Sequence, residues 1–547
     1  MQSTSSIRSL VLVLLLAGCG DSQPGTKSAT VPLYDNLGSH HYGISTRVPE
    51  AQQYFDQGLR LYYAFNHAEA IRAFDEAARL DPDCAICYWG TALSYGPNIN
   101  ARMDSASAVA AYEALQKAQA AASHASEREQ ALIEALAQRY APVPTADRQK
   151  LDAAYARAMK SVAERYPDDV EVLTLYAESL MDLSPWDYWT RTGSPREHTN
   201  ELLGMLDRVI AIQPNHPGAN HFYIHAVEAV DPKRALPMAE RLAGLMPGAG
   251  HLVHMPGHIY VRVGRYLDAV RANEHAVHAD ETYIQDQNPA FGTYTGGYYP
   301  HNYDFLGFAA SMIGRSAQSI GAAEKMLTLS SDDVADDAGM TFLQHHRTRH
   351  LQLKVRFGRW DDILAAEAPA EGLLHARGMW SYARGRALAA KSRIAEAEAE
   401  LARVQEAARN PALVDMPLEF NRSGAVLAVA AEVLAGHIAA AKKDYTSAIT
   451  HLRNAARLED ELVYGEPPDW TVPVRQELGV VLLDAGKAVD AERAFREDLD
   501  RFPDNGWSLN GLARALQAQG RTAEAATLNT RFQEIWSTAD VQLAQQN

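Results

Sequence analysis

Small residues recur in this chain at fixed offsets from large ones. In residues 51–84, Tyr54, Gly58, Ala70, Phe74, Ala77 and Pro82 take places 4, 8, 20, 24, 27 and 32 of a 34-residue frame. Restarting the frame at Val472 puts Leu478 and Gly479 at places 7 and 8, Gly486 at 15, Ala491 at 20, Phe495 at 24 and Pro503 at 32. A further unit from Gly506 has Gly520 at 15 and Ala525 at 20. A period of this length marks stacked supersecondary units, none of which buries its apolar face alone. The small residues let paired helices approach closely, and the large ones fill the space between neighbouring units. At 547 residues the chain is too long for one ordinary core, so an elongated array or several domains is expected.

The pattern resembles the tetratricopeptide repeat, which has two antiparallel helices per unit. The same frame fits from Gly250 (Gly264 at 15, Tyr266 at 17, Ala269 at 20), from Pro300 (Leu306, Gly307, Gly314), from Gln344 (Gly358) and from Val429 (Tyr445, Ala448). The resemblance covers about two thirds of the chain and implies an all-α solenoid of helical hairpins, right-handed and able to curl around a central cavity. Residues 49–100 read as N-terminal units, 201–368 as a histidine-rich central array and 369–547 as C-terminal units. Residues 101–200 are helical in pattern but lose the frame, and "SPWDYWTRTGSP" interrupts them. Two inserts lengthen the central array. One, near 281–299, carries Phe291, Tyr294, Tyr298 and Tyr299 among glycines and reads as a lid or a packed connector. The other, near 330–340, is acidic and reads as solvated.

Histidines gather on this scaffold. In "HLVHMPGHIYVRVGRY", His251, His254 and His258 stand at places 2, 5 and 9, and at 100° per residue their directions fall within about 60°. The resemblance implies that places 2, 5 and 9 line the concave groove where ligands bind. His301 and His345 stand at place 2 of the next two units. In the preceding unit an unbroken count puts His221 and His225 at places 6 and 10. A turn shortened by one residue at Asp231-Pro232 moves them to 5 and 9, and this is the reading favoured. Imidazole pairs three or four residues apart can share a metal ion. His221, His225, His251, His254, His258 and His301 are therefore candidate ligands for one transition-metal ion or two close ones, with copper, zinc and iron all suited. Met255, Cys84 and Cys87 would favour copper; Glu228 and Asp304 would favour zinc or iron. Glu228, Tyr294, Tyr298 and His345 are the candidate contacts to a substrate.

No HExxH motif is present, so chemistry is inferred from crowding alone. Two readings follow: a metal-dependent enzyme acting on a small molecule, or a binding module for metal handling or for a protein or peptide in the groove. An enzyme needs an open coordination position in a closed pocket, whereas a scaffold needs an open, peptide-wide groove.

A net charge of -17 argues against nucleic acid as a partner, because phosphates require a basic face. The opening "MQSTSSIRSLVLVLLLAGCG" has an apolar run too short to span a bilayer. Its "LAGC", Leu16 to Cys19, resembles a bacterial lipobox. The resemblance implies a signal peptide over 1–18, lipidation of Cys19, a tether over 19–48 and a membrane-anchored protein of the cell envelope. Gly20 after Cys19 points to the outer membrane, with the body facing the periplasm. Outside the cytoplasm, Cys84 and Cys87 read as a disulfide candidate, with metal thiolates as the other possibility. His40 and His41 read as tether residues, Asn98 and Asn100 as a proline-marked turn or an entry into the groove, and Tyr464–Trp470 as an aromatic-proline connector.

Overall fold

The computed structural model describes residues 31–142, 147–335 and 340–543. The leader, the lipobox and Cys19 lie outside the described residues, as does part of the acidic insert near 330–340. The described chain is built of helices, with isolated bridges such as Asn98 to Ala101 as its only extended pairing. Successive helices pack as antiparallel hairpins, Pro49–Tyr63 on His67–Leu80 in the first unit and Val474–Asp484 on Ala488–Arg501 near the end.

The 34-residue frame is visible in the backbone. Place 15 is left-handed in every unit identified from sequence: φ is 79° at Gly264, 75° at Gly314, 65° at Gly358, 72° at Gly486 and 76° at Gly520. The first helix of each hairpin ends there, and the next amide bonds back to the carbonyl five residues earlier, as Arg265 N to Tyr260 O at 2.8 Å and Lys487 N to Leu482 O at 2.8 Å. A left-handed residue at this place suits glycine, because an L side chain there costs about 1–2 kcal/mol. Two units do without it: Phe65 has φ 55° and Lys443 has φ 63°.

Packing explains the other small residues. A Cβ on Gly58 would lie 2.7 Å from the Phe74 ring, and one on Gly90 of the following unit 2.5 Å from the same ring. Gly479 and Gly511 flank Phe495 equally tightly, at 2.4 and 2.3 Å. In these two units the phenylalanine at place 24 is thus clamped between two glycines. Ala70, Ala269, Ala491 and Ala525, all at place 20, are fully buried.

The array curls back on itself. Trp507 donates its indole N–H to the carbonyl of Ser311 at 2.8 Å, Arg349 donates to the carbonyl of Asp469 at 2.9 Å, and Arg191 to that of Asp460 at 2.6 Å. The C-terminal units therefore pack against the turn edge of the central ones, and Tyr464–Trp470 is carried in far enough for Glu466 to meet Glu228 and His258. The segment 33–48 also packs on the body rather than hanging free: the backbone N–H of Tyr34 donates to Gln57, and His40 is buried.

No neighbouring atom stands within 4 Å of a Cβ built on Gly486, so Gly486→Ala isolates the conformational cost. It should lower stability by about 1–2 kcal/mol. Lys443→Gly should raise the urea midpoint by a smaller amount, offset by the entropy of glycine in the unfolded chain.

Candidate metal centre

Three successive first helices supply the histidines. The helix Pro217–Val227 opens with proline at its first position, and His216 caps it, its Nδ1 accepting from the Ala219 amide at 3.1 Å. It begins 33 residues before the helix at Gly250, so the connecting turn is the shorter one and His221 and His225 stand at places 5 and 9. In the next unit Gly250–His254 and Pro256–Arg262 are joined through Met255, itself helical at φ -52°, with Pro256 removing one amide from the ladder. His301 lies in Tyr299–Met312.

The rings form two sets of three. One ligating nitrogen each of His221, His225 and His251 lie within 4.8 Å of one another, and the same holds for His254, His258 and His301. In the first set, His221 Nδ1 donates to the carbonyl of Tyr63 at 2.7 Å and His225 Nδ1 to Glu228 Oε1 at 3.1 Å. That leaves the Nε2 atoms of both as lone pairs, buried and without a hydrogen-bond partner, together with both ring nitrogens of His251. Each buried polar atom left unpaired costs about 1–3 kcal/mol, so three rings aimed at one point require an explanation.

In the second set the nitrogens face each other directly. His254 Nδ1 donates to Asn273 Oδ1 at 2.7 Å; the Asn273 amide is oriented by its own bond to the Ala269 carbonyl at 2.8 Å. His258 Nδ1 donates to Glu228 Oε2 at 2.5 Å. The two Nε2 atoms then stand 2.9 Å apart, an arrangement that repels unless a proton or a cation lies between them. Two imidazoles on one tetrahedral ion would put their nitrogens about 3.3 Å apart, given bonds of about 2.0–2.1 Å.

Electrostatics favours the neutral form at every ring of the two sets except His258. Burial holds His221, His251, His254 and His301 well below the ordinary histidine value, and neighbouring imidazoles add to it. Burial lowers His258 as well, but facing Glu228 outweighs it and the net shift is upward. For Glu228 burial pushes up, while His258 and His225 together outweigh it and hold the carboxyl at about 2. Phe65 lies 4.5 Å, ring to ring, from His221, and Phe305 lies 4.6 Å from His254 and 4.5 Å from His258, so each set has an apolar cap.

The other residues singled out from sequence fall in several places. Glu228 is fully buried and gives one oxygen to each histidine set, so it orients ligands rather than meeting a substrate. Tyr298 lies 4.4 Å from the His251 ring and covers it; its phenol faces Asn98 and Asn100. Tyr294 stands one ring further out, its hydroxyl donating to Asp280 at 2.7 Å. His345 belongs to a different cluster, bonded to His375 at 3.0 Å and to the Asp469 carbonyl at 3.0 Å. Asp304 is paired with Arg349 at 2.9 Å. Cys84 and Cys87 are joined in a disulfide, which removes them as thiolate ligands.

A further triad, His40, Glu171 and His216, is close enough to hold an ion. Its hydrogen bonds point elsewhere. Because His216 Nδ1 accepts from Ala219, its proton is on Nε2 and faces Glu171 at 3.2 Å; Tyr63 O–H donates to the same carboxylate at 2.5 Å. This is a network holding Tyr63, the last residue of its helix, against His221.

Sequence reasoning passed over Phe65, Trp186, Asn273, Phe305 and Glu466. Phe65 carries a readable signal, a bulky residue at place 15 where five units have glycine. Trp186 sits at φ 64° with its indole 5.0 Å from His225 and 5.1 Å from Phe420. Glu466, brought in by the curl, groups with Glu228 and His258.

Fold and site together define an all-α helical-hairpin solenoid of tetratricopeptide type with a buried polyhistidine cluster. No family model and no curated protein matches the sequence. Among solved structures, the chain is similar to the Cut9-Hcn1 hetero-tetramer of the APC/C, at 14% identity over 85% of this chain and 76% of that one, with a TM-score of 0.30. It is likewise similar to human IFIT1 with PPP-AAAA, at 13% identity over 87% and 89% with a TM-score of 0.31. For yeast Tom70 the figures are 12% identity over 90% and 93%, with a TM-score of 0.25.

Asp280 ties the aromatic insert to the site, accepting from Tyr294 and, at 2.7 Å, from Asn302. Burial pushes its carboxyl up to about 7, and the bonds from Tyr294 and Asn302 only partly oppose this. Its folded value lies above its unfolded one, so the stability it contributes is full below about pH 4 and is lost as pH rises through 7. Thermal unfolding of Asp280→Asn beside the wild type should show the difference moving in the variant's favour from pH 5 to pH 8.

Proposed function

We propose that this protein is a lipid-anchored, extracytoplasmic helical-repeat protein whose histidine cluster holds a transition metal and uses it on a small molecule. The observation carrying this reading is the set of buried imidazole lone pairs that converge with no hydrogen-bond partner of their own. The hydrogen bonds behind the rings support it, since metal-binding histidines characteristically donate the other ring N–H to a carboxylate or carbonyl, as His221, His225, His254 and His258 do here.

The donor set narrows the ion. The iron facial triad needs a carboxylate ligand, and both Glu228 oxygens are engaged by imidazole N–H groups. An all-imidazole set suits copper or zinc, and three such ligands leave a fourth position for water or substrate. An ion held there would act as a Lewis acid or activate bound water. Tyr298 and Phe65 cover His251, Glu228 keeps His225 and His258 in the tautomer that presents Nε2, and His301 is the half-buried member of the six. Trp186 packs on His225 and Phe420 on Trp186, and the left-handed backbone at Trp186 is strain of the kind stored at functional sites.

A peptide-binding scaffold would present an open groove, whereas five of these six rings are at most 3% exposed. The Cys84–Cys87 disulfide supports an oxidising compartment.

Elemental analysis of untagged, full-length protein tests the reading. Copper or zinc should be present at one or more per chain and be lost, with helical content retained, when His221, His225, His254 and His258 are all replaced by alanine. A wild type that stays metal-free after incubation with either ion, yet binds peptide tightly, would transfer the protein to the scaffold class. Cys19→Ser should move it from the membrane fraction to the soluble one.

A further inference from the structure

The two histidine sets are copies of one construction. Each takes places 5 and 9 from the first helix of one unit and place 2 from the next. His221 and His225 belong to the unit opening at Pro217 and His251 to the unit opening at Gly250; His254 and His258 belong to the Gly250 unit and His301 to the unit at Pro300. The stripe on the Gly250 unit is therefore divided between two partners. His251 faces back to the preceding unit, while His254 and His258 face forward to the following one.

Spacing argues for two ions rather than one. His251 and His258 start seven residues apart, about 10.5 Å between their backbones along a helix axis. The ligating nitrogens gather within 4.8 Å in two sets of three, not in one set of six. The sets nonetheless adjoin: His225 lies 5.5 Å from His258 and His251 5.9 Å from His254, ring to ring. Glu228 bonds one ring of each, at 3.1 and 2.5 Å.

The construction stops at these two copies. In the unit at Pro300, places 5 and 9 are Asp304 and Phe308; Asp304 pairs with Arg349, and His345, at place 2 of the next unit, turns to His375.

We propose that the centre is dinuclear: two copper or two zinc ions per chain, each on three imidazoles, generated by the repeat and joined through the carboxylate of Glu228. This rests on the metal-centre reading above and adds the second ion.

The test is equilibrium binding of Cu(II) and, separately, Zn(II) to metal-free, untagged, full-length protein. Wild type should bind two ions per chain of at least one metal. His251→Ala and His301→Ala, which each remove one ligand from one set, should each retain one tight ion. Glu228→Gln touches both sets and should weaken both sites by about 10–100-fold. One ion in the wild type overturns the dinuclear centre and leaves the metal-centre reading standing; none of either metal overturns both. Because the wild-type stoichiometry decides by itself, a variant that fails to fold does not shelter the proposal. A second arm on the unaltered protein is X-ray absorption at the metal edge, where about three imidazoles per ion is expected. Six imidazoles around one ion would overturn it.

Discussion

Glu228 is the pivot of the central array. A fully buried carboxylate is costly unless every lone pair it presents is met, and here one oxygen accepts from His225 and the other from His258. Those two bonds select the ring tautomers, and the tautomers decide which nitrogens point inward. Glu228 lies on the helix turn after His225, so the same residue that ends one stripe of imidazoles orients the next. The orientation of His225 and His258 follows from this one carboxylate, while Tyr63 and Asn273 fix His221 and His254 in the same way.

Around it the repeat supplies position, and departures from the repeat supply environment. At place 15 most units relax a left-handed turn with glycine, whereas the first unit holds Phe65 there and turns its ring onto His221. At Trp186 another bulky residue takes a left-handed backbone and lays its indole against His225. Both are local rules broken beside the histidines, where strain is offset by the packing it makes possible. Pro256 acts similarly within one helix, interrupting the ladder between His251 and the pair that follows.

Much of this was legible in the chain. Glycine at place 15 announced the hairpin turn, phenylalanine at 24 with glycine at 8 announced the close helix pair, and both stand where the frame put them. The pairs His221/His225 and His254/His258 were readable because four residues make one helical turn. The role of Glu228 was not: spacing placed it three residues past His225, near enough to suggest a contact to substrate, but only its contact with His258 thirty residues away shows it orienting two rings. His345 was misleading for a related reason. Place 2 aims it at the groove, and the loop from the C-terminal units then captures it through the Asp469 carbonyl.

What the sequence by itself determined is the repeat and everything periodic in it: the hairpins, their turns, and imidazoles on the concave face, since helical geometry converts spacing directly into direction. What only tertiary structure decided is how those imidazoles divide, which nitrogens are free, and what closes over them. Asn273 comes from the partner helix of the same hairpin, whereas Tyr63, Trp186, Phe420 and Glu466 arrive from four separate stretches of chain, brought in by the curl of the array. Curl is the sum of small rotations between units and of contacts such as Trp507 to Ser311, and no local spacing encodes that sum.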